Sequence, residues 1–101
     1  MLQKKQNHFS GQQVASLNKP AWVVQMGSFK DKANAHRMVT QLKTSGFKVF
    51  TRVVTSPAGN VRTRVYIGPE FKQASAQQLT TKIQRETKLQ GFVLPYKAIM
   101  L

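Results

Sequence analysis

The segment Arg62-Thr-Arg64-Val-Tyr66 alternates guanidinium or phenol side chains with small or apolar ones. A period of two in an extended chain puts Arg62, Arg64 and Tyr66 on one face and leaves Val65 and Ile67 for the other. Two guanidiniums can make paired, charge-assisted hydrogen bonds to carboxylates, and a ring can stack on a flat or apolar ligand face. Gln25 interrupts the apolar run Trp22-Val-Val-Gln-Met26, where its amide offers a donor and an acceptor to one partner. Phe50, in Val49-Phe-Thr-Arg52, supplies a second ring with the same alternation. An amide, two rings and two guanidiniums on one surface make a platform for stacking and hydrogen bonding.

The chemistry needed for catalysis is sparse. The only carboxylates among 101 residues are Asp31, Glu70 and Glu86, the only histidines are His8 and His36, and there is no cysteine. His36 falls next to Arg37, one step off the apolar stripe of a helix, and reads as an exposed helix residue. Ser28 follows Gly27 with no histidine or carboxylate patterned near it, so it reads as a hydroxyl at a strand exit and not as a nucleophile. No phosphate-loop or dinucleotide glycine spacing occurs. The chain therefore reads as a binder without enzymatic activity, cofactor or metal. Sixteen Lys and Arg give a net charge of +13, which calls for an anionic partner: nucleic acid, an acidic lipid surface or an acidic polysaccharide.

Residues 1–20 are polar and without sustained periodicity and read as a flexible tail. Residues 21–101 suit one small domain. Within it Val24-Gln-Met-Gly27 is echoed by Val65-Tyr-Ile-Gly68, and Gly46-Phe-Lys-Val49 by Gly91-Phe-Val-Leu94. Two copies of strand, helix, strand predict a βαββαβ fold of the α+β class, ferredoxin- or RNP-like: a four-stranded antiparallel sheet in the order 4-1-3-2 with both helices on one face. Asp31 is the expected N-cap of a helix over residues 32–44, striped by Ala35, Met38, Val39 and Leu42. Ser75 and Gln78 have capping-box spacing at the second helix, with a start a few residues earlier left open, and its stripe is Ala76, Leu79 and Ile83. Ser56-Pro-Ala-Gly-Asn60 supplies the hairpin turn. Parity then sends Val23, Gln25, Lys48, Phe50, Arg52, Arg62, Arg64 and Tyr66 to the face away from the helices, with Val93 joining them from the last strand, and sends Trp22 toward the helices. That outer face is expected to stand open to water. No apolar run approaches the roughly 20 residues of a membrane-spanning helix.

The ordered set Val24-Gln-Met-Gly-Ser-Phe29, Asn34-Ala35, Leu42, Gly46-Phe47 and Arg64-Val-Tyr-Ile-Gly-Pro69 resembles the SPOR (sporulation-related repeat) domain of bacterial cell-envelope and division proteins, over about residues 21 to 97. The resemblance implies non-catalytic binding of septal peptidoglycan, with preference for glycan strands lacking stem peptides. It also implies a periplasmic place at the division septum, within an inner-membrane-anchored parent protein whose anchor lies outside this sequence, and contact with other division proteins. The family's binding residues correspond to Gln25, Ser28 and Arg64, with Val93 on the last strand and Arg62 where some members carry tryptophan; Phe50 or Tyr66 would then supply the ring. Two other classes fit parts of the pattern. An RNA-recognition module shares the strand order, but its third strand needs several outward aromatics and Arg62 to Gly68 offers only Tyr66. A protein-interaction module recruiting a partner strand at a sheet edge is the other.

Overall fold

The computed structural model describes residues 20–99; the tail read over residues 1–20 lies outside them except for Pro20. Strand β1 (Trp22–Phe29), helix α1 (Lys32–Thr44), strands β2 (Val49–Thr55) and β3 (Val61–Glu70), helix α2 (Gln73–Thr87) and strand β4 (Phe92–Pro95) follow the expected order, and a short helix α3 (Tyr96–Ile99) follows them. The strands form one antiparallel sheet ordered β2-β3-β1-β4.

Local chemistry explains the boundaries. The Asp31 carboxylate accepts from the Ala33 N–H at 2.8 Å and opens α1, satisfying one of the donors that a helix N-terminus leaves unpaired. Helix α2 starts at Gln73, ahead of the Ser75–Gln78 pair, and its N-cap Lys72 makes no side-chain cap bond. The Ser75–Gln78 pair is therefore not the cap, and the helix takes the slightly earlier start that the sequence left open. Past α1, Gly46 takes φ +92° and returns the chain to the sheet, a conformation that costs glycine little.

The core sits between the helices and one sheet face. Val24, Met26, Ala35, Leu42, Val65, Ile67 and Ile83 are its buried members, with Phe47, Val49, Leu79 and Leu89 packed against them. These are the stripes that periodicity assigned to α1, α2, β1 and β3, so burial of one face per element is what fixes the architecture.

The second half of the chain departs from the repeat. Helix α2 ends at Lys88, which adopts φ +67°, and Leu89 then fills a core position as Phe47 does after Gly46. Lys88 is thus the counterpart of Gly46, and Phe92 the counterpart of Phe50. The match of Gly46-Phe47 to Gly91-Phe92 is out of phase. Val93 consequently pairs with Val24 and packs against the core on the helix side, which corrects its assignment to the outer face. A lysine gives no sign of a left-handed stop, so the glycine three residues later drew the alignment. A non-glycine residue in that conformation costs roughly 1 kcal/mol. Lys88→Gly is accordingly expected to stabilise the domain by about that amount, raising Tm by about 4–8 °C; an unchanged or lower Tm in thermal unfolding would show the strain to be absent.

Candidate functional site: the outer sheet face

The register lines up the outer face row by row. Phe50 on β2 pairs with Tyr66 on β3, Tyr66 with Gln25 on β1, and Gln25 with Phe92 on β4. One row across all four strands therefore reads Phe50, Tyr66, Gln25, Phe92, because directly paired residues present side chains to the same face. The next row reads Arg52, Arg64, Ser28, and the next Val54, Arg62. Neighbouring strands lie roughly 4.8 Å apart, so Gln25 and Arg64 are diagonal neighbours on adjacent strands.

Gln25 and Ser28 are three residues apart and by strict alternation would face opposite ways. A bulge reconciles them. Gln25 pairs with Tyr66 but Gly27 pairs with Val65, so Met26 is the extra residue and the alternation of β1 changes phase there. Ser28 then sits opposite Arg64 on the outer face, while Phe29 turns inward against the core. Gly27 makes room for this: a Cβ there would lie 2.7 Å from the Phe29 ring and 3.3 Å from the Met38 sulfur.

The outer face is not wholly open, as alternation alone had suggested. Helix α3 folds back over one end of it, with the Tyr96 N–H donating to the Ala21 carbonyl at 2.8 Å. Tyr96 and Ile99 bury Ala21, Val23 and Tyr66 in a second cluster flanked by Phe50 and Leu94. Tyr66 has no exposed surface. Its ring stacks on Phe50 at 5.2 Å between centroids, and Phe50 lies tilted against Tyr96 at 6.5 Å. Tyr66 is the floor of the face and offers no free ring to a ligand. Burial pushes the Tyr96 phenol up from its usual range, and the Arg52 guanidinium beside it works in the opposite direction.

The remaining end of the face is polar, cationic and accessible. Ser28 and Arg62 are exposed, Gln25, Arg52 and Arg64 half-buried. No carboxylate shares it among the described residues: Asp31 caps α1, Glu70 ends β3 and Glu86 lies on α2. The Arg64 Nε is buried and has no hydrogen-bond partner among the described residues, and neither has the Tyr66 hydroxyl. Phe92 closes the row beside Gln25 with 56% of its surface exposed. Clustered guanidiniums, an amide and an exposed ring can hold an anionic ligand with apolar faces. No group of three His, Cys, Asp or Glu side chains able to hold a metal occurs among the described residues.

The SPOR domain family model matches residues 18–95. The chain belongs to the SPOR domain family. It is 28% identical over 76 residues to the cell division protein DedD of Escherichia coli (strain K12), a stretch that is 75% of this chain and 34% of that protein, so the chain spans about a third of the length of this curated relative. A solved structure of the Spor protein DedD superposes with a TM-score of 0.59 at 26% identity, over 76% of this chain and 39% of that one. The solution structure of the peptidoglycan-binding domain of the Bacillus subtilis cell wall lytic enzyme CwlC gives a TM-score of 0.58 at 23% identity, covering 76% and 90%, and shares the fold.

Among SPOR features read from the sequence, Gln25, Ser28, Phe50, Arg62, Arg64 and Tyr66 do share one sheet face, Tyr66 as a buried member, and Val93 does not. Sequence reasoning missed Phe92 as a site residue and did not include Arg52, although it placed Arg52 on the correct face. The signal for Phe92 is the spacing Leu89-Gln-Gly-Phe92, which repeats Phe47-Lys-Val-Phe50.

Proposed function

We propose that this SPOR domain binds peptidoglycan, without catalysis, through the open end of its outer sheet face, and that it prefers glycan strands lacking stem peptides. The observation that carries this reading is the row of Arg52, Arg64 and Arg62 beside Gln25, Ser28 and Phe92 on one accessible end of the sheet face, with the Arg64 Nε lacking a hydrogen-bond partner among the described residues. Removing the stem peptide from a muramyl residue frees its lactyl carboxylate. That adds a negative charge for the guanidiniums and removes bulk from the sugar face. Acetamido groups match the Gln25 amide, and sugar rings present C–H faces to Phe92. The relatives support the setting: one carries the name of a cell division protein and another that of a peptidoglycan-binding domain. Enrichment of stripped glycan at a septum would place the parent protein there, on the periplasmic side of an inner membrane to which its own anchor attaches it and where other division proteins are at hand. Among the described residues no helix is long and apolar enough to cross a membrane. The RNA reading loses its ring, since Tyr66 is covered by α3.

The test is cosedimentation with intact sacculi and with sacculi treated with an amidase that removes stem peptides. Binding is expected to rise several-fold after amidase treatment and to be lost again after the glycan strands are digested. Equal binding to both preparations would remove the preference for stripped strands.

A further inference from the structure

The sheet has a second feature that the glycan reading does not use. Strand β2 is an edge, and its register with β3 runs unbroken from Val49 opposite Ile67 to Thr55 opposite Val61. The Gly68 N–H donates to the Lys48 carbonyl at 3.1 Å, and the Ser56 N–H to the Asn60 carbonyl at 2.9 Å. Even-numbered backbone groups of this strand therefore point to β3. Those of Val49, Thr51, Val53 and Thr55 point to the free side, because antiparallel pairing alternates residue by residue. Proteins usually blunt such an edge with a bulge, a proline or a covering loop, and β2 has neither bulge nor proline.

The surfaces flanking this edge differ. On the helix side Thr51, Val53 and Thr63 face Val39, Lys32 and His36 of α1 across a groove of about 390 Å³. Helix α1 leaves Val53 60% exposed, and Val61 beside the groove is 51% exposed. On the outer side the same strand carries Lys48 and Arg52. An added strand would therefore point alternate side chains at an apolar groove and at a cationic face. Among the described residues the only carboxylate near the groove is Asp31, and it is engaged in capping α1.

From this arrangement we infer that β2 receives an extended segment of a partner protein, one alternating apolar and acidic residues, as a fifth strand. Main-chain bonds to Val49, Thr51, Val53 and Thr55 provide the ladder, Val53 and its groove take the apolar side chains, and Lys48 and Arg52 select the acidic ones. A second copy of this chain is a poor occupant, because two chains of net charge +13 would meet edge to edge. The site shares only Arg52 with the arginine row, and its backbone ladder and groove lie outside that row, so peptide and glycan can bind at once.

The probe is a synthetic peptide of alternating Val and Glu, as long as β2, with a Val and Lys peptide as its counterpart. It is titrated into the full chain while backbone amide shifts and hydrogen exchange are read residue by residue. The Val/Glu peptide is expected to slow exchange at Val49, Thr51, Val53 and Thr55 at least about tenfold, leave even-numbered amides of β2 unchanged, and do so with saturating peptide-free glycan present. Val53→Pro removes an N–H that β3 does not use and is expected to abolish this effect. Val53→Glu keeps the backbone intact, repels the acidic strand and is expected to weaken it about tenfold or more, with glycan binding retained in both. Equal binding of the Lys peptide, or shifts confined to Gln25, Ser28 and Arg64, would overturn the inference. So would edge protection that grows with protein concentration alone, which would assign the edge to a second copy. Protection in the peptide-free chain that disappears on removal of residues 1–19 would assign it to the chain's own N-terminal segment, and would overturn it equally.

Discussion

A chain carrying both Gln25→Ala and Arg64→Ala is expected to lose about a hundredfold in affinity for peptide-free glycan strands while melting as the unaltered domain does. A hydrogen bond to a charged group is worth about 1.5–3 kcal/mol and a neutral one about 1 kcal/mol, with every 1.4 kcal/mol a factor of ten. The two sites are diagonal neighbours on paired strands, so their effects need not add, and the single variants should each be measured. Neither side chain belongs to a core cluster, and truncating a partly exposed strand residue changes stability by about 0.5 kcal/mol. Lys82→Ala is the control. It removes a cation from α2, where the ammonium lies 5.9 Å from the Phe47 ring centre, and is expected to leave binding unchanged. Wild-type binding by a folded double variant in sacculus cosedimentation would refute the outer-face site.

Tyr66 is expected to behave in the opposite manner. Its side chain is the largest of those fully buried, packed under α3 and stacked on Phe50. Truncating a buried ring to alanine costs roughly 3–5 kcal/mol through lost burial and the cavity left behind, a large part of the 5–15 kcal/mol that holds a small domain folded. Tyr66→Ala should therefore show a markedly lower denaturation midpoint, or fail to fold. Tyr66→Phe isolates the hydroxyl, which is buried without a hydrogen-bond partner among the described residues. Removing an unpaired buried polar group relieves its desolvation cost, so this variant is expected to be as stable as the parent or up to about 1 kcal/mol more so, with glycan affinity within about twofold. A clear loss of glycan binding by folded Tyr66→Phe would make the phenol a ligand contact and overturn its role as floor.

Gln25, Arg64 and Tyr66 mark how far the sequence could be read. Alternation in β2 and β3 was sufficient to place Phe50, Arg52, Arg62, Arg64 and Tyr66 on one face, because an unbroken strand has a period of two and one face must be buried. Asp31 and the stripe through Ala35 and Leu42 gave α1 its bounds for the same kind of local reason. What stayed hidden required contacts distant in sequence. Burial of Tyr66 depends on Tyr96 and Ile99 folding back across the sheet, and nothing in Arg62 to Gly68 encodes that. The phase of β4 turned on Lys88, whose left-handed backbone no residue type announces. Phe92 was missed with it.

The bulge at Met26 sets the length of β1 apart from its composition. Before it the strand counts even positions toward the helices, and after it odd ones. Substitutions leave this count alone and act one side chain at a time. Deleting one residue at Met26 or Gly27 would remove the extra residue and restore a single phase with Ser28 still opposite Arg64 and Phe29 still turned inward. Straightening the strand with every residue kept would instead turn Ser28 into the core and Phe29 out into water together. A gap at this point in an alignment of related chains therefore describes a strand without the bulge and the same outer surface.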